Sequence, residues 1–233
     1  MRALFALMLL VAASARAEMP LQELLERLGE AEEKKLAVPA CLFVESSVTE
    51  QLDKEGKSMG RITRSYEVLR AGTKVVSRKK LSEKEEGELV GQLKAEPRDQ
   101  NQNEDPRGQL SPFHPKSRDE YQFEQSPGPR EGWVTVKITP REKDEKRMKG
   151  TAVVDSRTAQ LISMHLSPSA LPAMLDRFQV DFVYADTPCE RHPTQLQFAG
   201  SGGVFVYKVR FRTQVKISGH RRLDSAAVGG SGP

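Results

Sequence analysis

The sequence predicts an α+β protein: a curved antiparallel sheet of about ten strands, an incomplete β-barrel, with helices covering its concave side. Three observations carry that prediction. Apolar residues alternate with polar ones in short segments spread from Cys41 to Ile217. Helical periodicity is confined to two stretches, 20–37 and 82–95. About ten strands in one strongly twisted sheet curl, and their apolar face needs a cover that only those two helices could supply.

The elements follow in chain order. Arg2, the apolar run Leu4 to Ala13 and the small-x-small triplet Ala15-Arg16-Ala17 read as a secretory signal peptide over 1–17. No later apolar run approaches the ~20 residues of a membrane helix. The expectation is therefore an exported, periplasmic chain without a membrane span. Pro20 suits a first helical position, and Leu21, Leu24, Leu25 and Leu28 recur at helical spacing opposite a charged face, predicting a first helix to Ala37.

From Cys41 the period becomes two. Strands are expected from Cys41 to Val48, Arg61 to Arg70 and Lys74 to Leu81, with turns at Asp53–Lys57 and Ala71-Gly72. Ser82 with Glu85 forms a capping-box pattern ahead of Leu89, Val90 and Leu93, so 82–95 reads as a helix. Pro97 to Gly108 holds no apolar residue. Together 82–108 read as a helical and polar insertion within one domain spanning 18–222. Strands resume at Asp119–Gln125, Gly132–Thr139, Met148–Asp155 and Gln160–Leu166. The cleanest alternation comes last, in Phe178–Tyr184, Leu196–Phe198 and Phe205–Ile217. The Gly/Ser/Ala end, 223–233, reads as a disordered tail.

The formal charge of +4 includes Arg2 and Arg16. Removing the leader leaves +2, which withdraws the main support for nucleic-acid binding. The two cysteines, Cys41 and Cys189, are a disulfide candidate in an oxidising compartment, the alternative being two separate buried thiols.

The hairpin Thr151-Ala-Val-Val-Asp155 followed by Thr158 and Leu161-Ile162 resembles that of the LolA-type periplasmic lipoprotein carriers and their LolB- and RseB-like relatives. Phe178 to Tyr184, then Pro193-Thr-Gln-Leu196, then the basic-aromatic strand to Arg221 are similar too, as is the order of leader, leucine-rich helix and strands. The resemblance covers 21–221. It implies a half-barrel closed by helices around an apolar cavity for lipid or lipoprotein acyl chains, serving carriage or sensing. Arg61 and Arg64 are the candidates for the family's lid-latching arginine. The long insertion and the short Gly/Ser end depart from the family.

The residues themselves nominate Phe178, Val180, Phe182, Tyr184, Leu196, Phe198, Phe205, Tyr207 and Phe211, with Leu24 and Leu28 of the helix, as cavity lining or core. Lys208, Arg210 and Arg212 form a basic stripe that could meet anionic headgroups or an envelope protein, or simply face solvent. The four histidines are scattered, and Cys189-x₂-His192 has no second ligand pair, so no metal site is expected. Asp155 reads as a turn residue. Lipase-like, nucleotide-binding and zinc-protease motifs are missing, so neither catalytic residues nor a cofactor are expected and the protein is read as a non-enzyme. The monomeric ligand carrier stands beside an alternative, an envelope protein-interaction module whose core is fully packed.

Overall fold

The computed structural model describes residues 18–72, 74–89, 91–94, 111–204 and 207–223. The leader, the polar stretch 97–108, Phe205 and the tail 224–233 lie outside them.

Ten strands form one antiparallel sheet in the order β3-β2-β1-β10-β9-β8-β7-β6-β5-β4. They are β1 (Cys41–Leu52), β2 (Ser58–Ala71), β3 (Lys74–Gly87), β4 (Tyr121–Pro127), β5 (Trp133–Pro140), β6 (Met148–Asp155), β7 (Gln160–Pro168), β8 (Leu175–Asp186), β9 (Arg191–Val204) and β10 (Tyr207–Arg222). Every neighbouring pair is consecutive in sequence except one. The first and last strands lie side by side, Val48 opposite Gln214 and Thr49 opposite Thr213. The sheet is open, with β3 and β4 at its edges, as an incomplete barrel requires.

The first helix, α1 (Leu21–Lys34), continues as a 3₁₀ turn over Lys35–Ala37, and Pro39 follows at its end. Its leucines behave as their spacing predicts: Leu24 and Leu28 are fully buried. They join Val134, Val136, Ile138, Ala152, Val154, Leu166 and Val180 in one core, so α1 packs on the half of the sheet built from β4 to β8. A second, smaller core of Cys41, Phe43, Tyr66 and Val68 sits on β1 and β2. At roughly 1.5–3 kcal/mol per fully buried aliphatic side chain, the larger core dominates the folding energy.

The helix expected over 82–95 is corrected. Ser82 to Gly87 continue β3, and only one helical turn, α2 (Gly91–Lys94), follows. The reason is cross-strand charge. Arg61 pairs with Glu86 and Arg64 with Glu83 across β2 and β3. Cross-strand pairs on an edge strand offer these acids what a capping box would have offered. Among the described residues, Ser111 to Arg118 pack against the main core beside α1. Phe113 is completely buried and stacks on Phe123 at 5.6 Å, and the single turn α3 (Pro115–Arg118) is capped by the His114 ring accepting from the Lys116 amide.

Candidate functional site

A cavity of about 440 Å³ opens between the C-terminal half of α1 and the sheet end formed by the β6–β7 turn, β8 and the β8–β9 loop. The volume falls in the range of small-molecule sites. Leu28, Ala31, Ala159, Leu161 and Tyr184 give it an apolar floor, and Arg27, Lys34, Lys35, Glu190 and Arg191 rim it.

Each wall has a local cause. The turn at 156–159 is set by Asp155, whose carboxylate accepts the Arg157 amide at 2.9 Å and the Thr158 amide at 3.2 Å. Burial opposes that charge, yet those hydrogen bonds and Arg157 hold the carboxyl below its ordinary value. Ala159 closes the turn at φ 54°, a left-handed conformation unusual for alanine, and this presents Leu161 to the cavity. Asp155 is thus the turn residue its sequence position implies. Arg191 donates to the Leu161 carbonyl at 2.9 Å and to Asp186 at 3.0 Å, tying the loop to β7.

The rim charges are largely matched by neighbouring charges. Lys35 pairs with Glu32 at 2.7 Å, Arg27 with Glu23 at 2.6 Å and Glu190 with Arg70 of β2. Burial pushes the Glu190 carboxyl up despite Arg70 beside it. Tyr184 is buried, its hydroxyl directed to the Met164 sulfur at 3.9 Å, and burial drives its phenol far above the ordinary value. Lys35 Nζ stands 5.8 Å from the centre of that ring. A neutral phenol, matched rim charges and an aliphatic floor favour an uncharged, slim ligand segment over an ion.

The nominated lining residues separate into three groups. Leu28 and Tyr184 line the cavity. Leu24 and Val180 are interior core. Phe178, Phe198 and Phe211 form a half-buried aromatic step across β8 to β10, with centroids 6.4 and 6.5 Å apart. Phe182 and Leu196 sit opposite one another in register beside it. Gly200 lies under this step, because a Cβ there would come within 2.7 Å of the Phe211 ring. Tyr207 begins β10, but its side chain, like Phe205, is outside the description.

The basic stripe is spoken for by its neighbours. Lys208 pairs with Asp176 at 2.9 Å, Arg212 with Glu50 at 2.6 Å, and Arg210 donates to the Asp53 carbonyl at 3.3 Å. Such exposed pairs on paired strands are worth little to stability. Of the two candidate latching arginines, Arg64 is 5 % exposed on the inner face of β2 and bonded to Glu83 at 2.9 Å, whereas Arg61 points outward to Glu86.

Cys41 and Cys189 are joined in a disulfide linking the start of β1 to the β8–β9 loop. Among the described residues, no cluster of three or more His, Cys, Asp or Glu could hold a metal ion, and no helix is long and apolar enough to cross a membrane.

Sequence reasoning missed Ala31, Lys35, Ala159, Leu161, Glu190 and Arg191 as site builders. Only the Val-Asp hairpin signalled any of them, since it fixes where Ala159 and Leu161 turn back.

Solved structures that align over most of this chain include three of low identity. A DUF1329 family protein from Desulfovibrio piger aligns over 91 % of this chain and 98 % of its own at 11 % identity, with a TM-score of 0.42. A LolA superfamily protein from Nitrosomonas europaea aligns over 87 % and 93 % at 10 % identity, with a TM-score of 0.38. MucB of Pseudomonas aeruginosa, in its complex with MucA, aligns over 87 % and 99 % at 13 % identity, with a TM-score of 0.30. Neither a protein-family model nor a curated protein matches the sequence.

Proposed function

We propose that this is a periplasmic binding protein that takes an acyl chain, of a lipid or a lipoprotein, or a similarly slim apolar group between α1 and β7–β9, for carriage or sensing and without covalent chemistry. The cavity carries this reading: an aliphatic floor of Leu28, Ala31, Ala159 and Leu161 beneath internally paired rim charges. Each methylene moved there from water contributes about 0.8 kcal/mol, so a chain of about ten carbons supplies roughly 8 kcal/mol to set against the cost of association. The half-buried aromatic step of Phe178, Phe198 and Phe211 offers a further apolar surface on the same sheet. The leader read from the sequence supports export.

The test uses N-phenyl-1-naphthylamine, an uncharged fluorophore that brightens in apolar sites. The native chain is expected to bind it, and Ala31→Trp, which fills the cavity from the helix side, is expected to weaken binding about tenfold or more. Organic extraction of the purified protein should release a lipid identifiable by mass spectrometry. Binding that Ala31→Trp leaves unchanged would exclude this cavity.

The second reading is an envelope protein-interaction module. It is favoured by the close packing of the main core, where Leu24, Val134, Val136, Ala152 and Val154 have no exposed surface. A protein that binds no fluorophore and yields no lipid would support it.

A further inference from the structure

Behind the cavity, at the same end of the sheet, two histidine rings meet. His192 at the start of β9 is 2 % exposed, and its Nε2 lies 2.8 Å from Nε2 of His220 near the end of β10. The rings cross at 68°. His192 Nδ1 also faces the Glu190 carbonyl at 3.4 Å. The network assigns the tautomers: His192 carries its proton on Nδ1, directed at that carbonyl, and its Nε2 accepts from the Nε2–H of His220. The contact therefore needs His192 neutral. A first proton entering at His220 Nδ1 leaves the bond intact. A second, at His192 Nε2, sets two N–H groups face to face, and the rings must part.

On balance the surroundings oppose added charge, the Glu190 carbonyl alone favouring it. Phe43 of β1 lies 6.3 Å from the His192 ring and 5.8 Å from that of His220. Arg70 of β2 lies over Phe43 at 5.7 Å and pairs with Glu190 of the β8–β9 loop. From the end of α1, Lys35 is held by Glu32. Arg221 and Arg222 follow His220 on β10. Glu190 and Glu32 are thus already engaged by cations. Burial first, then Arg70 and His220, lower the His192 value to about 4, and burial and Arg70 lower that of His220.

This pair is continuous with the cavity wall. Glu190 and Arg191, which immediately precede His192, line the cavity, as do Lys35 and Glu32. We propose that the His192–His220 contact is an acid-released latch on the binding cavity: at neutral pH it holds the start of β9 against the end of β10, and taking up the second proton lets the segment Glu190–His192 swing out and release the ligand. The inference rests on the cavity being the binding site.

The test measures N-phenyl-1-naphthylamine binding to the native chain and to two variants between about pH 7.5 and about pH 4.5, a window in which the probe does not titrate. Wild type is expected to lose affinity about tenfold or more on acidification. His192→Gln, whose amide oxygen still accepts from His220 but takes up no proton, is expected to change less than about twofold. So is the apolar double variant His192→Phe/His220→Leu, which serves if the glutamine variant folds poorly. Burial also pushes the Glu190 carboxyl up towards this window, so Glu190→Gln is the control. A profile flattened by Glu190→Gln and unmoved by both histidine variants overturns the latch. If wild type binds no probe even at neutral pH, the cavity reading falls on its own. The latch is then decided by amide exchange over 187–192, corrected for intrinsic rates: protection lost in acid by wild type and kept by His192→Gln sustains it, and protection unchanged in wild type overturns it.

Discussion

Leu24 is the residue through which α1 is fastened to the sheet. It has no exposed surface and touches strands that are more than a hundred positions away in sequence. Leu24→Ala is expected to destabilise the fold by about 3–4 kcal/mol, read from urea denaturation, because an inter-layer cavity at this point cannot collapse. His192 sets a different kind of sensitivity. Its folded-state value of about 4 lies below the ordinary 6.5, so its contribution is complete above about pH 6.5 and is lost as pH falls towards 4. Stability should drop by up to about 3 kcal/mol across that window, and His192→Phe should remove the drop. Glu190 runs the opposite way: its raised carboxyl favours the folded state most at low pH and less as pH rises through its folded value. Comparing unfolding curves at several pH values in both single variants separates the two.

The elements differ in how plainly their residues announced them. Phe178, Val180, Phe182 and Tyr184 alternate cleanly, and β8 forms where the alternation lies. The first part of β3, Lys74 to Leu81, was legible, but its continuation to Gly87 was hidden because Glu83, Lys84, Glu85 and Glu86 carry the charges of an exposed helix and no apolar alternation. Their partners Arg61 and Arg64 lie on another strand, and a local pattern does not contain them. Phe113 was equally opaque, a single aromatic between Pro112 and His114 with no period to belong to. The cavity was least legible, since it joins a helix end, a turn near 159 and a loop near 190. At this scale the contact between α1 and α3 is testable. A Cβ on Gly29 would meet Pro115 at 3.2 Å and the Phe113 carbonyl at 3.3 Å. Gly29→Ala should be nearly neutral, since about 1 kcal/mol of helix propensity offsets a tight fit. Gly29→Leu should cost about 1–3 kcal/mol in denaturation measurements by prising α3 away.

On the scale of the whole molecule, the disulfide bridges residues 148 apart and ties the smaller core to the loop that walls the cavity. In the chain-entropy description so long a ring stabilises by about 4–5 kcal/mol. Replacing both cysteines by alanine should therefore lower stability by about 2–5 kcal/mol in chemical denaturation and loosen the cavity wall before the main core. The place of β10 has a wider consequence. Because the last strand lies between the first strand and β9, the three-strand ribbon β1 to β3 meets the rest of the sheet only through β10. Until β10 is in place, β1 to β3 and β4 to β9 can only be two unjoined ribbons. Such long-range pairing is slow to form. The same wiring makes the joining of the two ribbons a late event, however early each has formed.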